Sequence, residues 1–259
     1  MNNAPYRLLE RGVSAPGVAP IVLLAGDTHG DTDTLAVLFA DAALAGATAI
    51  IQCGDFGYGW RFQDGICGFS AYASELANLY EIDLYFVDGN HENFDSLYSL
   101  PIDCKTGLRP VLSRVTHIPR GATLKIGNTT FRGMGGAYST DIGYRVDGVS
   151  WWKQETITNE DLEKAFEAGP ADVFLSHDAP FGVIETAGMR RKTVEWGEEA
   201  GALSVANQRK VRQALDASGA TLAFHGHLHQ SYECYLDNGT RVIGLDRDGT
   251  DDNFTLLAC

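Results

Sequence analysis

Two short segments place several potential metal donors within a few residues of one another. Gly26-Asp27-Thr28-His29-Gly30 sets a carboxylate and an imidazole two positions apart, and His225-Gly226-His227-Leu228-His229 alternates three histidines. In extended backbone, residues two apart project to one side, so Asp27 and His29 can grip one cation together. Three more segments add donors: Gly54-Asp55, Gly89-Asn90-His91-Glu92 and Ser176-His177-Asp178-Ala179-Pro180. Taken singly, each has an ordinary reading as a turn, a solvated histidine or a hydrogen-bonded structural histidine. Three alternating histidines are harder to explain by packing. Even without His225, the segments hold five of the chain's seven histidines. Oxygen and nitrogen donors without thiolates favour Mn²⁺, Fe or Zn²⁺ over a structural cysteine–zinc site. A carboxylate in the middle of such a set can bridge two cations.

The elements that position these donors follow from apolar patterning. Strand-like runs at Ile21 to Ala25, Ala47 to Cys53, Ile82 to Val87, Asp172 to Leu175 and Thr221 to Phe224 each end in one of the five segments. Helical patterns lie between them. Thr32 to Ala45 is closed by Gly46, and Phe69 to Tyr80 is a second helix. Thr158 to Ala168 opens with the capping pair Thr158 and Asp161, and Gly169-Pro170 stops it. Ser204 to Ser218 carries Val205, Val211 and Leu215 on one side, with Gly219 as its stop. The stretch Val111 to Met134 reads as short strands with a turn at Gly127-Asn128. Strands near Tyr232 to Tyr235, Arg241 to Leu245 and Phe254 to Leu257 complete the chain. Alternating strands and helices predict an α/β fold, and sites in such sheets form at the carboxyl ends of strands. The expected organisation is a short, disordered N-terminal arm over residues 1–20 and one domain over 21–259.

Composition narrows the partners. Acidic residues outnumber basic ones 34 to 20, for a formal net charge of −14. Without a basic run, an extended footprint on duplex DNA is not expected. Divalent cations would offset part of an acidic cleft. The five cysteines are odd in number and form no Cys-x-x-Cys pair, which fits a reducing compartment. The early apolar run Ile21 to Ala25 is too short to span a membrane, so a cytoplasmic protein is expected. The oligomeric state is left open.

In order, the blocks GDTHG, GD, GNHE, SHDAP and GHLH resemble those of the calcineurin-like metallophosphoesterases, and they run from Asp27 to His229. The resemblance implies a four-layer αββα sandwich of two mixed β-sheets flanked by helices. It also implies two divalent metal ions, with Mn²⁺ favoured and Fe or Zn²⁺ as alternatives. By position, Asp27, His29 and His229 would hold one ion, and Asn90, His177 and His227 the other, with Asp55 bridging. His91 would stay off the metals, contact phosphate and help protonate the leaving oxygen. The implied reaction is hydrolysis of a phosphate ester by in-line attack of a hydroxide held between the ions.

Substrate class rests on finer features. Ser/Thr protein phosphatases of the superfamily extend the second block with another aspartate and an arginine, and Gly54-Asp55-Phe56-Gly57-Tyr58-Gly59 has neither. Class III cyclic-nucleotide phosphodiesterases more often carry Asp at the position of Glu92. The leading expectation is a small phosphodiester, such as a cyclic nucleotide or nucleotide derivative. Alternatives are a phosphomonoesterase or a protein or nucleotide phosphatase of the same superfamily, and, in another class, a non-catalytic metal-binding scaffold. Arg145 and Arg61 are candidate substrate contacts. Trp151 and Trp152 have two readings, as a base-stacking surface or as loop anchors, the latter favoured. Glu92 and Asp178 also have two, as orienters of histidines or as ordinary polar loop residues. His225 is expected to support the site or the packing around it.

Overall fold

The computed structural model describes residues 4–9, 19–59, 68–189 and 197–259. Its first sheet is built around β2 (Ile21–Ala25), β3 (Ala47–Gln52) and β4 (Asp83–Phe86), which pair in parallel. β5 (Arg109–Leu112) and β6 (Val115–His117) extend it on one side, and β13 (Phe254–Ala258) and β1 (Arg7–Leu9) on the other. The second sheet has the order β11 (Tyr232–Tyr235), β12 (Arg241–Gly244), β10 (Leu222–His225), β9 (Val173–Ser176), β8 (Thr129–Met134) and β7 (Thr123–Ile126). Both sheets are mixed: β8, β9, β10 and β12 run parallel, and β7 and β11 pair antiparallel at the edges.

Strand periodicity divides the core into layers, because alternate residues face opposite sides. Val22 and Leu24 of β2, with Ala49 and Ile51 of β3, meet Phe131, Val173, Leu175, Leu222 and Phe224 of the second sheet. The alternate residues Leu23 and Ile50 pack outward against α1 (Thr32–Ala45) and α2 (Gly68–Tyr80). On the opposite face, Phe174, Ala223 and Val242 pack against α4 (Asn159–Glu167) and the long helix Glu198–Ser218. The result is the expected four-layer sandwich.

Helix ends obey local chemistry. The Asp31 carboxylate accepts the Thr34 N–H at 2.7 Å and starts α1. Gly46 ends it in the left-handed region, φ 70°, its N–H bonding to the carbonyls of Ala42 and Ala43. Leu35, Leu38, Phe39 and Ala42 form the buried stripe between these caps. The expected capping pair starts α4, with Asp161 N–H donating to Thr158 Oγ1 at 3.1 Å.

Several expectations need correction. Residues 1–20 are not wholly an arm: Arg7–Leu9 pairs antiparallel with the last strand, Leu8 opposite Leu257. A boundary at residue 21 would therefore cut through a sheet. The long helix begins at Glu198 rather than Ser204, because Gly201 is tolerated within it as a buried contact position. α3 (Phe94–Ser99), directly after the third donor segment, was not expected; the Asn93 side chain caps it by accepting the Ser96 N–H. Among the described residues, no helix is long and apolar enough to cross a membrane.

Candidate metal centre

The five donor segments leave β2, β3, β4, β9 and β10 at their carboxyl ends. Because β2, β3 and β4 run parallel in one sheet, and β9 and β10 in the other, each sheet delivers its segments to one end. There they meet. Asp27, His29 and His229 present ligand atoms within 4.8 Å of one another, and so do Asp55, His177 and His227. His29, Asp55 and His91 form an overlapping third group.

Asp55 lies between the sets. Its Oδ2 is 3.4 Å from His29 Nε2, and its Oδ1 is 3.2 Å from His177 Nε2. Asp27 Oδ2 stands 2.9 Å from His229 Nε2. Asn90 Oδ1 joins the second set at 3.0 Å from His177 Nε2. Backbone donors hold the carboxylates in place: His227 N–H bonds to Asp27 Oδ1 at 2.9 Å, and Asn90 and His91 N–H bond to Asp55 Oδ1 at 2.7 and 2.9 Å. The His177 Nδ1–H donates to the Cys53 carbonyl at 3.0 Å, which leaves Nε2 as the inward donor atom.

The local backbone is shaped to bring these side chains together. Six non-glycine residues among those described have positive φ, and four are His29 (45°), Asp55 (54°), His227 (63°) and His229 (51°). Such conformations are uncommon and costly for residues with a Cβ. Two glycines make the approach possible. A Cβ at Gly89 would lie 2.0 Å from Asp55 Oδ1, and one at Gly226 would lie 2.0 Å from Asp27 Oδ1. Side chains at either position would fill the cradle.

Electrostatics also fit divalent cations. Burial opposes protonation of His29, but the Asp55 hydrogen bond and charge, with Asp27 and Asp248, raise it to about 9. Burial likewise opposes protonation of His177, and Asp55 and Asp27 raise it to about 10. The two buried carboxylates thus draw positive charge into the site. Burial opposes ionisation of Asp55, yet the charges of His177 and His91 hold it well below the usual carboxylate range. Burial lowers His91 to about 4 and, with the His177 charge, holds His227 well below its ordinary value. Buried carboxylates, imidazoles and one amide form a donor set suited to hard or borderline cations.

His91 sits at the edge of the cluster, its Nε2 3.7 Å from Asp55 Oδ2. Arg145 reaches the same place from a loop some 50 residues away: its Nη2 donates to His91 Nε2 at 3.1 Å and its Nη1 to the Asn90 carbonyl at 3.1 Å. Arg61 lies outside the described residues. Trp152 is an anchor, its indole N–H donating to Asp95 Oδ2 at 3.1 Å. Neither acidic follower orients a histidine. Glu92 accepts the N–H groups of Phe56, Gly57 and Tyr58 at 2.8, 3.0 and 2.6 Å, and so holds the loop after Asp55. Asp178 accepts from Asn207 at 2.9 Å and Gln208 at 3.3 Å, tying the His177 loop to the long helix. His225 bonds to the Tyr232 hydroxyl and the Gly226 carbonyl, away from the ligand sets. No local pattern pointed to Asp248, whose Oδ1 bonds to His29 Nδ1, nor to Ser139 and Glu155 behind Asn90. They belong to no spaced motif and meet the site only in the folded chain.

Comparison with known proteins agrees with this geometry. No curated protein matches the chain by sequence alone. The chain is similar to the solved structure of TT1561 from Thermus thermophilus, with TM-score 0.55 and 11% identity over 89% of this chain and 90% of that one. It is also similar to a dimetal phosphatase from Danio rerio, with TM-score 0.54 and 14% identity over 89% of this chain and 88% of that one. At these identities the likeness speaks for the fold. The sequence model of calcineurin-like phosphoesterases matches residues 21–231. The chain therefore belongs to the calcineurin-like phosphoesterase family, hydrolases that work through a dinuclear divalent metal centre.

Proposed function

We propose that this chain is a divalent-metal-dependent hydrolase of small phosphodiesters. The observation that carries the reading is Asp55, which turns one carboxylate oxygen towards each of two ligand sets. In this reading Asp27, His29 and His229 hold one ion, Asn90, His177 and His227 hold the other, and Asp55 serves both. Mn²⁺ is the metal the family resemblance favours, and the mixed carboxylate and imidazole donors also suit Fe or Zn²⁺. When bound, two such ions would supply Lewis acidity to the phosphate and a water of lowered pKa.

The remaining steps fall to the chain's own groups. His91 stands beside Asp55 without belonging to either proposed ion set, and it is placed to meet the phosphate and its leaving oxygen. Burial holds His91 down to about 4, and an anionic phosphate beside it would push that value back up. Arg145 Nη2, now donating to His91 Nε2, can turn to a phosphate oxygen at the same place.

The missing phosphatase residues and the intact His91 block support the diester. Arg145 is hydrogen-bonded to Asn90 and His91, and Asp55–Gly59 lacks the further aspartate and arginine of the protein phosphatases. The net charge of −14 supports a small substrate over an extended nucleic acid. Initial rates on a generic aryl phosphodiester and its monoester, side by side with added Mn²⁺, test the preference. Faster diester hydrolysis is expected, and a strong monoester preference would overturn it.

A further inference from the structure

An asparagine amide is nearly symmetric in outline, so its hydrogen-bond partners decide which end is oxygen and which is nitrogen. For Asn90 that choice matters, because only Oδ1 can donate an electron pair to a cation. The partner of its other end is Ser139, whose Oγ accepts the Asn90 Nδ2–H at 3.1 Å. Ser139 has a single hydroxyl proton, and that proton is given to Glu155 Oε2. Its oxygen is therefore left to accept from Asn90. Glu155 Oε1 in turn accepts the Trp152 N–H at 3.1 Å and lies 3.8 Å from Arg145 Nη1. All three members of the chain are buried: Asn90 at 3% exposure, Ser139 at 2% and Glu155 at 1%. In so dry a place an incorrectly turned amide would set its oxygen against the Ser139 oxygen, acceptor against acceptor, at a cost that water cannot relieve.

We propose that Ser139 and Glu155 form a positioning pair that fixes the Asn90 amide with its oxygen towards the second metal position. The inference rests on the two-metal reading above. Neither residue touches the metal positions or the substrate. Their effect passes through Asn90, and Glu155 adds a charge beside Arg145 from the same carboxylate. The pair lies outside the recognised donor blocks, 49 and 65 residues beyond Asn90.

Substitution separates this role from simple packing. In Glu155→Gln, the amide cannot accept from both Trp152 N–H and Ser139 O–H. If its oxygen keeps Trp152, its NH₂ faces Ser139, whose proton then turns towards Asn90 and drives the Asn90 amide to flip. In Ser139→Ala, the buried Asn90 NH₂ loses its acceptor, whereas Ser139→Thr keeps the hydroxyl.

The experiment is calorimetric titration of the chelator-stripped full chain with Mn²⁺, with circular dichroism to confirm folding. Wild type is expected to take up two ions per chain. In Glu155→Gln and Ser139→Ala the ion proposed at Asn90, His177 and His227 should lose affinity by about 10–100-fold while the other is unchanged, the range seen when support behind a metal ligand is removed. Ser139→Thr should restore it. Should Glu155→Gln not fold, the Ser139→Ala and Ser139→Thr pair decides alone. Two ions bound with wild-type affinity by folded Ser139→Ala would overturn the positioning role while leaving the metal centre standing. Fewer than two ions in wild type would overturn both.

Discussion

His29 Nδ1 and Asp248 Oδ1 lie 2.5 Å apart although 219 residues separate them in the chain. A histidine that offers Nε2 to a metal needs an acceptor for its other ring N–H, which sets the tautomer and the ring plane. Asp248 is that acceptor, and it stands on the turn that leads into the last strand. Asp248→Asn should weaken the ion proposed at Asp27, His29 and His229 by about 10–100-fold. Mn²⁺ titration of the folded variant checks this, and unchanged affinity for both ions would make the contact incidental.

Arg145 is the clearest candidate for a substrate contact, since its guanidinium touches His91 and Asn90 rather than open solvent. Hydrogen bonds to charged groups contribute roughly 1.5–3 kcal/mol, so Arg145→Ala should lower kcat/KM by about 10–100-fold on a phosphodiester. Arg145→Lys should not recover it, because an ammonium lacks the planar fork. Metal stoichiometry should stay at the wild-type value. Wild-type kcat/KM in the alanine variant would remove Arg145 from the site.

Protons and metal ions compete for the same nitrogens. Burial alone would lower His29 and His177, yet the carboxylates of Asp55 and Asp27 raise them from 6.5 to about 9 and about 10. Because the folded values are raised, these groups stabilise chelator-treated protein fully below pH 6.5, and the gain fades as pH rises through about 9 to 10. Cation binding requires those protons to leave, so metal affinity should climb over the same range. The difference in Tm between Mn²⁺-loaded and chelator-treated protein should therefore widen from pH 6.5 towards about 9. A constant difference would show that His29 and His177 do not bind metal.

The donor blocks could be read from the sequence because each is local: the strand before Asp27 or His227 and the glycine beside it lie within a few residues. The layers were not legible in this way, because Ile21–Ala25 is apolar throughout: the family resemblance implied them, and only the fold turns Val22 and Leu24 to the second sheet and Leu23 to the helices. Long-range partners were not legible either. Asp248 meets His29, and Ser139 meets Asn90, only because distant loops close over the same sheet ends. β1 escaped notice because three residues, Arg7–Leu9, acquire strand character from pairing with the last strand and carry little pattern of their own. Glu92 and Asp178 look alike beside their histidines, and nothing local says that one holds a loop and the other holds a helix.

Asp55 bears the most weight, since it alone faces both proposed ions. Metal content and phosphodiester hydrolysis should be measured together on Mn²⁺-loaded wild type and Asp55→Ala, both confirmed as folded. Wild type should hold two ions per chain and hydrolyse the diester, and Asp55→Ala should hold fewer ions and fall to near-background hydrolysis. Equal metal content and equal rates in the two proteins would contradict a shared-carboxylate, two-ion phosphoesterase.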